Sequence, residues 1–205
     1  MGRIGILGAG GHGKVVADAA LSSGWESIVV YDDGWPSEAT SSLFPIIGNS
    51  EALKSDLGSL DGVIIAIGDN NTRATKFQEL ERSGANIVSI IHPSAIISRF
   101  AEIGPGCLVS ANAVINASVR ISKGCIINSG SIIEHDCLIG NFAHIGPGAV
   151  LAGSVTIKGH CLVGAGVAIK PDIHIGTSAL VGTGAVVTKN VVDTAIVIGN
   201  PARPK

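Results

Sequence analysis

The residue whose type and setting best suit proton transfer is His135, in the segment Glu134-His135-Asp136. A neutral imidazole accepts a proton near pH 7, and an adjoining carboxylate raises its basicity and fixes its tautomer. Two carboxylates adjoin this ring in the sequence, one on each side. The segment therefore predicts a general base with a carboxylate partner, and leaves open which of the two acids is that partner.

A second set of residues suits phosphate binding. Gly8, Gly10 and Gly13 form a G-x-G-x-x-G pattern between an apolar stretch and a helical one, with Asp32 further on. This pattern is typical of a phosphate at a helix N-terminus and a carboxylate near a ribose. Only about 90 residues precede the repeat described below, too few for the two halves that hold a dinucleotide. A nucleotide-sugar is therefore a better ligand than NAD.

The first 90 residues predict a small α/β unit that positions this motif. Strands are expected over residues 3–8, 27–33 and 60–70, and a helix from residue 14 to Gly24. A second helix is expected to end at Arg82, with Asn71 or Thr72 as its N-cap. Residues 86–91 then lead into the second half of the chain.

The second half is a repeat with a period of six. Four residues after each aliphatic position lies a small or modest side chain, and all four cysteines fall in this phase. A short strand with a tight turn, stacked as the faces of a parallel β-helix, explains this period. His135 then lies at a corner, where a side chain points outward. The aliphatic positions are Ile91, Ile97, Ile103, Val109, Ile115, Ile121, Ile127, Ile133, Ile139, Ile145, Leu151, Ile157, Val163, Ile169, Ile175, Val181 and Val187.

The composition agrees with a narrow prism. The chain has 205 residues, 46% hydrophobic, with 28 glycines but only four Phe, two Trp and one Tyr. Aliphatic ladders fit a prism interior and rings would overfill it. The cysteines are expected to be small buried fillers. A net charge of −2 argues against a nucleic-acid partner. Neither a membrane span nor a secretory signal is expected, so the predicted location is cytoplasmic.

The hexads, with their [LIV]-G-x-x-small signature, resemble the left-handed β-helix acyltransferases of the hexapeptide-repeat superfamily. With the glycine motif and the closing IGNPAR, the chain resembles bacterial nucleotide-sugar N-acetyltransferases. The resemblance implies a Rossmann-like half-domain over 1–90, which binds the nucleotide-sugar. A left-handed parallel β-helix of hexapeptide repeats over 91–205 would carry acetyltransferase activity. It also implies that the tail, VIGNPARPK, ends the prism and folds over the cosubstrate groove.

The resemblance also implies roles for individual residues. It identifies His135 as the general base and Asp136 as its carboxylate, although the family more often has Glu there. It implies acetyl-CoA as cosubstrate, no metal, and a homotrimer with active sites between subunits. Acetyl-CoA is expected along a groove lined by His144, Ala165 and Thr183. The nucleotide-linked amino sugar, on a UDP or GDP carrier, is expected to contact Gly10, Gly11, His12, Asp32, Asp33 and Gly68.

One site residue follows from the coil geometry. With three hexads per coil, Gly153 lies one coil after His135 in the same column, and stacked strands lie about 4.8 Å apart. Its backbone N–H is therefore a candidate oxyanion donor, and a glycine lets a thioester approach closely.

Three alternatives stay open at this point. A sialic acid O-acetyltransferase would use the same histidine with a hydroxyl nucleophile. A γ-carbonic-anhydrase-like hydratase would need histidines that hold zinc, but no two of the six histidines lie at local ligand spacing. A non-catalytic binding module is the third, because a fold alone never proves chemistry.

Overall fold

The computed structural model describes residues 2–36 and 43–205. Its N-terminal part is a four-stranded parallel sheet of order β3-β2-β1-β4, with helices on its faces. The elements are β1 (Arg3–Leu7), α1 (Gly11–Ser22), β2 (Ser27–Tyr31), β3 (Ile46–Gly48), α2 (Ser50–Asp56), a 3-10 turn (Leu57–Ser59), β4 (Gly62–Ile65) and α3 (Asn70–Arg82).

Burial on both faces explains why β1 reads as a nearly continuous apolar run. Ile4 and Ile6 pack towards Val16 of α1, whereas Leu7 packs on the other side with Phe77 of α3. The strand order reverses between β1 and β4, and the loops after these strands leave the same edge of the sheet. In parallel sheets, ligands bind at such a switch point.

Two predictions about this part were wrong in detail. Strands β1, β2 and β4 are shorter than expected, and β4 already ends at Ile65. The N-cap of α3 is Asp69 rather than Asn71 or Thr72, because the Asp69 Oδ1 accepts from the Thr72 N–H at 2.8 Å. Both β3 and α2 were missed. They are short, and the clearest local signal is the Asn49 cap of α2, which accepts from the N–H groups of Glu51 and Ala52.

The second part is a prism with three flat faces, built from two-residue strands. Face 1 contains β5 (Ile90–Ile91), β8 (Leu108–Val109), β11 (Ile126–Ile127), β14 (His144–Ile145), β17 (Leu162–Val163), β20 (Leu180–Val181), β22 (Ile196–Ile198) and β23 (Arg203–Pro204). Face 2 contains β6 (Ile96–Ile97), β9 (Val114–Ile115), β12 (Ile132–Ile133), β15 (Val150–Leu151), β18 (Ala168–Ile169) and β21 (Val186–Val187). Face 3 contains β7 (Glu102–Ile103), β10 (Arg120–Ile121), β13 (Leu138–Ile139), β16 (Thr156–Ile157) and β19 (His174–Ile175).

The register confirms three hexads per coil. Ile127 pairs with Ile145, and Ile133 with Leu151, so each strand lies beside the one that is three hexads later. Chain order defines three corners. Corner 1–2 follows each face-1 strand, corner 2–3 each face-2 strand, and corner 3–1 each face-3 strand.

The corners explain the glycine content. The third residue of most turns has a positive φ, as at Gly124 (68°), Gly166 (64°) and Asp136 (61°). Glycine adopts this conformation without a steric cost, and Asn and Asp tolerate it better than other residues. Phe142 and His160 are the bulky exceptions, with φ of 58° and 61°. Both contact the N-terminal part of the chain.

The prism interior is the ladder that the sequence predicts. The inward aliphatic residues form one core cluster, together with Cys107, Cys125, Cys137 and Cys161. All four cysteines are free and fully buried. Burial raises the pKa of the Cys137 and Cys161 thiols to about 11, so both are protonated fillers at neutral pH.

The two parts share a continuous apolar contact. Ile90, Leu108 and Ile126 point outward from face 1 and pack in one cluster with Val16 of α1. At corner 3–1, Phe142 meets Phe77 of α3 edge-on, with ring centroids 5.4 Å apart. The N-terminal part therefore covers the first coils of face 1 and the adjoining corner 3–1.

Candidate active site

The glycine motif forms a tight turn with an open mouth. Gly8 has a φ of +116°, and a Cβ there would lie 2.7 Å from the Ala66 carbonyl. A Cβ on Gly13 would collide with the Gly8 carbonyl. Gly10 and Gly11, by contrast, face open space. Gly8 and Gly13 are therefore needed for the turn, whereas Gly10 and Gly11 leave room for a ligand at the N-terminus of α1.

Both aspartates after β2 shape the loops around this mouth. The Asp32 carboxylate accepts from the N–H of Ala9 at 2.7 Å and from the N–H of Gly34 at 2.8 Å. Asp33 accepts from the Ser50 N–H at 2.8 Å and pairs with Lys76 at 2.7 Å. Partial burial opposes ionisation of Asp33, but the Lys76 and Ser50 hydrogen bonds outweigh it and lower its pKa to about 2. Asp33 is therefore ionised at neutral pH, and hydrogen bonds hold both carboxylates in place.

Two histidines form the floor of the crevice between the glycine loop and the prism. The ring centroids of His12 and His144 lie 6.4 Å apart. Burial first, and then the Arg73 charge, lower the pKa of each to about 4, and for His144 the His12 charge also contributes. The His12 Nε2 is buried and has no hydrogen-bond partner among the described residues. Both rings are therefore neutral at pH 7.

The tautomer of His144 follows from its neighbours. The Asn128 Oδ1 accepts from the Ser129 N–H at 2.8 Å, so the Nδ2 of this amide faces His144 Nε2 at 3.1 Å. Because the amide nitrogen only donates, Nε2 accepts and the neutral ring carries its proton on Nδ1. The Gly68 backbone lies beside the ring and favours its protonated form, which raises the pKa against the larger effect of burial. His144 thus ties the prism to the loop after β4.

Acid should destabilise the folded chain through this pair. The folded pKa of about 4 lies below the ordinary 6.5, so the unfolded chain binds protons first as the pH falls. Stability is full above pH 6.5 and declines towards pH 4. Between pH 7 and pH 5 we expect a loss of about 2 kcal/mol per histidine in the free energy of unfolding, measured in urea.

The matched variants for this measurement are His144→Gln and His174→Gln, because His174 is exposed. The first should remove about half of the pH-dependent loss, and the second should leave it unchanged. If His144→Gln keeps the full wild-type loss, the protonation of this buried ring does not cause it.

His135 lies at corner 2–3 with Asp136. Its Nδ1 is 2.8 Å from the Asp136 Oδ2, and the two side chains are 62% and 60% exposed. Because the carboxylate oxygen accepts from Nδ1–H in this contact, the neutral ring has its proton on Nδ1 and its lone pair on Nε2. The shorter Asp reaches the ring from its positive-φ position. The Glu134 carboxylate makes no hydrogen bond or ion pair with the residues that the structure describes.

Gly153 lies directly against the His135 ring, one coil further on. The Ser154 N–H donates to the His135 carbonyl at 2.9 Å. Within residues 2–36 and 43–205, no acceptor takes the Gly153 N–H, whereas its carbonyl accepts from Asp172. A Cβ at Gly153 would lie 2.6 Å from the His135 Cε1 and 2.7 Å from Nε2. This glycine therefore leaves room for the ring, and its own N–H has no partner within the described residues.

Replacing Gly153 should lower turnover by displacing the ring. For Gly153→Val we expect kcat to fall by about 100-fold or more, because a 1 Å displacement of a catalytic group has effects of this size. Ala117 occupies the same corner position one coil before His135, so the backbone at this position of the turn accepts a residue with a Cβ. Assembly and melting temperature should stay near wild type. Turnover within threefold of wild type would contradict the proposed site.

The predicted groove residues do not all lie together. Ala165 and Thr183 occupy one column at corner 1–2, where the Gly184 N–H donates to the Ala165 carbonyl at 2.8 Å. His144 lies on the outer surface of face 1 instead, against His12. Its placement with the two corner residues came from the resemblance, and its role towards acetyl-CoA stays a prediction. The structure groups it with the glycine-loop crevice.

The C-terminal tail ends the prism beside this column. β23 pairs antiparallel with β22, and the Ala202 N–H donates to the Val186 carbonyl at 2.8 Å. A Cβ on Gly182 would lie 2.7 Å from Ile198. The tail and the last coil enclose an apolar cavity of about 340 Å³, whose lining includes Val187, Lys189 and Arg203.

Arg73 and Asn70 of α3 are the residues that the sequence analysis missed. Arg73 is 1% exposed, although it carries a charge. Its spacing could have revealed this burial. Arg73, Phe77 and Leu80 are four and three residues apart, which places them on one face of the helix, the buried one.

The described part of the chain contains neither a candidate metal-ion cluster nor a helix suited to crossing a membrane. Within it, no three His, Cys, Asp or Glu side chains converge in a way that could hold a metal ion. Among its helices, none has both the length and the apolar character that crossing a membrane requires.

Comparison with known proteins identifies both parts. Residues 3–80 match the PglD N-terminal domain family, and residues 86–197 match the GMPPB C-terminal domain family. A UDP-N-acetylbacillosamine N-acetyltransferase of Bacillus subtilis is 34% identical over 115 residues. That match covers 54% of this chain and 52% of the relative, about half of each.

Solved structures match over the full length. PerB from Caulobacter crescentus, in complex with CoA and GDP-perosamine, has a TM-score of 0.94 and 34% identity, and the match covers 100% of this chain and 98% of that one. The acetyltransferase domain of PglB from Neisseria gonorrhoeae, in complex with acetyl coenzyme A, has a TM-score of 0.94 and 35% identity, and covers 99% and 98%. With its Rossmann-like half-domain and left-handed β-helix, the chain belongs to the hexapeptide-repeat family of nucleotide-amino-sugar N-acetyltransferases.

Proposed function

We propose that this chain transfers an acetyl group from acetyl-CoA to the amine of a nucleotide-linked 4-amino-4,6-dideoxy sugar, on a UDP carrier or as GDP-perosamine. The observation that carries the proposal is the His135–Asp136 pair, in which Asp136 accepts from Nδ1–H, so that the neutral ring carries its lone pair on Nε2. A base of this kind suits a step in which an amine loses a proton. The PerB complex with CoA and GDP-perosamine supports the same class of substrates.

The chemistry needs no enzyme nucleophile. The neutral amine of the sugar attacks the thioester carbonyl, while His135 Nε2 accepts the proton that the nitrogen loses. The oxygen of the tetrahedral intermediate accepts from the Gly153 N–H, the oxyanion donor of the proposal. Collapse forms the amide, breaks the carbon–sulfur bond and releases CoA, whose sulfur takes the proton from His135. Asp136 stabilises the imidazolium between these two steps.

The same chain cannot supply both the acceptor and the base. The crevice with His12 lies over face 1, whereas His135 lies at corner 2–3, the corner opposite that face. An amine bound in the crevice would therefore have the whole prism between it and the His135 of its own chain. A neighbouring subunit must bring its own His135 to the crevice, and a homotrimer provides this arrangement three times.

Face 2 is the surface that suits such a neighbour. Its outward column is apolar throughout, and Ile96 is 67% and Val150 39% exposed. Isolated apolar side chains on a surface are ordinary, but a contiguous column is typical of an interface. Face 3 differs, because Glu102 and Arg120 interrupt it. The remaining outward residues of face 2 are Val114, Ile132, Ala168 and Val186.

Acetyl-CoA lies along corner 1–2 in this proposal. The column of Ala165 and Thr183 presents small side chains, along which an extended pantetheine fits, and the tail covers its end. The nucleotide-sugar lies over Gly10 and Gly11, where no side chain fills the space, with His12 beside them in the same turn. Both substrates are cytoplasmic metabolites, so the proposal places the enzyme in the cytoplasm, in surface-glycan precursor synthesis.

The test is acetyl-CoA turnover with a panel of acceptors: UDP-linked 4-amino sugars, GDP-perosamine and free sialic acid. We expect turnover with one of the nucleotide-linked amines and none with sialic acid. Turnover with sialic acid alone would establish O-acetylation instead. Turnover with none of them, in protein that binds acetyl-CoA, would overturn the proposed reaction.

A further inference from the structure

Arg73 is a buried cation whose hydrogen bonds all go to neutral acceptors. Its side chain leaves α3 and reaches corner 3–1 of the prism. There Nε donates to the Gly124 carbonyl at 2.8 Å, and Nη2 donates to the Phe142 carbonyl at 2.9 Å. These two carbonyls belong to successive coils, so the guanidinium fixes α3 at a defined height on the prism.

The other three N–H groups hold the loop after β4. Nη1 donates to the Ile67 carbonyl at 2.9 Å and the Gly68 carbonyl at 3.0 Å, and Nη2 donates to the Asn70 Oδ1 at 2.7 Å. All five donors of the guanidinium are therefore used. Among residues 2–36 and 43–205 no carboxylate bonds to it, which distinguishes it from a simple buried ion pair.

Asn70 extends this contact to a third coil. Its Nδ2 donates to the carbonyls of His160 and Cys161, at 2.9 and 3.0 Å. The same amide accepts from Arg73 through its Oδ1, so the two side chains act as one unit. We call this unit, Arg73 with Asn70, the loop clamp. It joins residues 67–70 to three coils through backbone carbonyls alone.

The position of residues 67–70 determines the shape of the crevice. Gly68 lies between the guanidinium and His144, and Ala66 contacts the turn at Gly8. A shift of this loop would therefore move one wall of the crevice relative to the prism. It would leave the Ala165 column and the corner of His135 in place, because the clamp touches neither.

We propose that Arg73 is a positioning residue for the nucleotide-sugar, which rests on the proposed function: the loop clamp holds residues 67–70 against the prism so that the crevice fits its ligand. This role requires the planar guanidinium of arginine, since five acceptors in fixed directions match its five N–H groups and do not match an ammonium. The clamp acts on acceptor binding, not on the chemical step.

Arg73→Lys tests this by separating the two substrates. We expect the KM for the nucleotide-sugar to rise about tenfold or more, with kcat at saturation within about threefold and the KM for acetyl-CoA unchanged. The matched control is Arg82→Lys, at the exposed end of the same helix, which should change neither KM. A lower melting temperature with both KM values unchanged would overturn the proposal, as would an equal rise in both.

Asn70→Ser covers the case in which Arg73→Lys does not fold. It keeps the guanidinium and removes the bonds to His160 and Cys161, and it should give the same selective rise in KM. If the wild type acetylates no acceptor, the affinities for UDP and GDP, measured by calorimetry, still test the role of the clamp. Wild-type protein should bind one of them at least about tenfold more tightly than either variant. Equal affinity would overturn the role of the clamp separately from the reaction.

Discussion

His135→Asn should lower kcat by about 1,000-fold while leaving both KM values near wild type, because a general base typically contributes 10²–10⁴-fold. The ring Nε2 carries the lone pair that takes the amine proton, and an amide nitrogen in its place has none. Asn is small enough for the space above Gly153, and the residue is 62% exposed, so folding should be unaffected. Release of free CoA thiol, followed at saturating substrates, measures the effect.

The matched control is His174→Asn, because His174 is also an exposed histidine on the prism but lies on face 3. It should keep wild-type turnover. Turnover of His135→Asn within tenfold of wild type would show that another group or water takes the proton. A rise in the acceptor KM with kcat unchanged would instead assign His135 to binding.

The prism was predictable because its rules are local. An aliphatic residue every six positions fills the interior, and a turn residue such as Gly166 or Asp136 forms the corner. Each coil therefore meets its own packing and turn requirements. Whether a side chain points into the prism or out of it follows from its place in the hexad. The corner position of His135 followed from the same register, since two residues after Ile133 the chain is already turning.

The contact between the two parts of the chain was not predictable in this way. Face 1 and face 2 both carry apolar outward columns, as Ile126 and Ile132 illustrate, so hydrophobicity does not say which face the N-terminal part covers. The choice depends on long-range fit between α3 and corner 3–1, where Phe142 and Arg73 meet. The loop clamp was missed for this reason.

The role of the aspartates after β2 shows a second limit. The spacing of Asp32 from the glycine motif predicted ligand contact, and the resemblance added Asp33; both stay predictions. Spacing does not reveal that the Asp32 carboxylate already accepts from the Ala9 N–H, or that Asp33 pairs with Lys76. Hydrogen-bond partners depend on rotamers and on neighbours distant in the sequence.

Mixing two inactive variants should restore about one quarter of wild-type turnover if each site is shared between subunits. His135→Ala removes the base and keeps the crevice. Gly10→Val fills the crevice mouth and keeps the base. Its backbone is extended, with φ −68° and ψ −168°, and its Cβ would have nothing within 4 Å, so the variant should fold. In a cyclic trimer, the crevice of one subunit meets the base of the next.

The expected fraction follows from random assembly. A site works only when a His135→Ala subunit supplies the crevice and a Gly10→Val subunit supplies His135, which occurs at about one half times one half of the interfaces. Each variant alone should be inactive, so any recovered turnover belongs to mixed trimers. The measurement is thiol release after the two variants are unfolded and refolded together, with mass spectrometry of the intact assembly. Mixed trimers without turnover would place the base and the crevice in one chain, against the opposed positions of face 1 and corner 2–3.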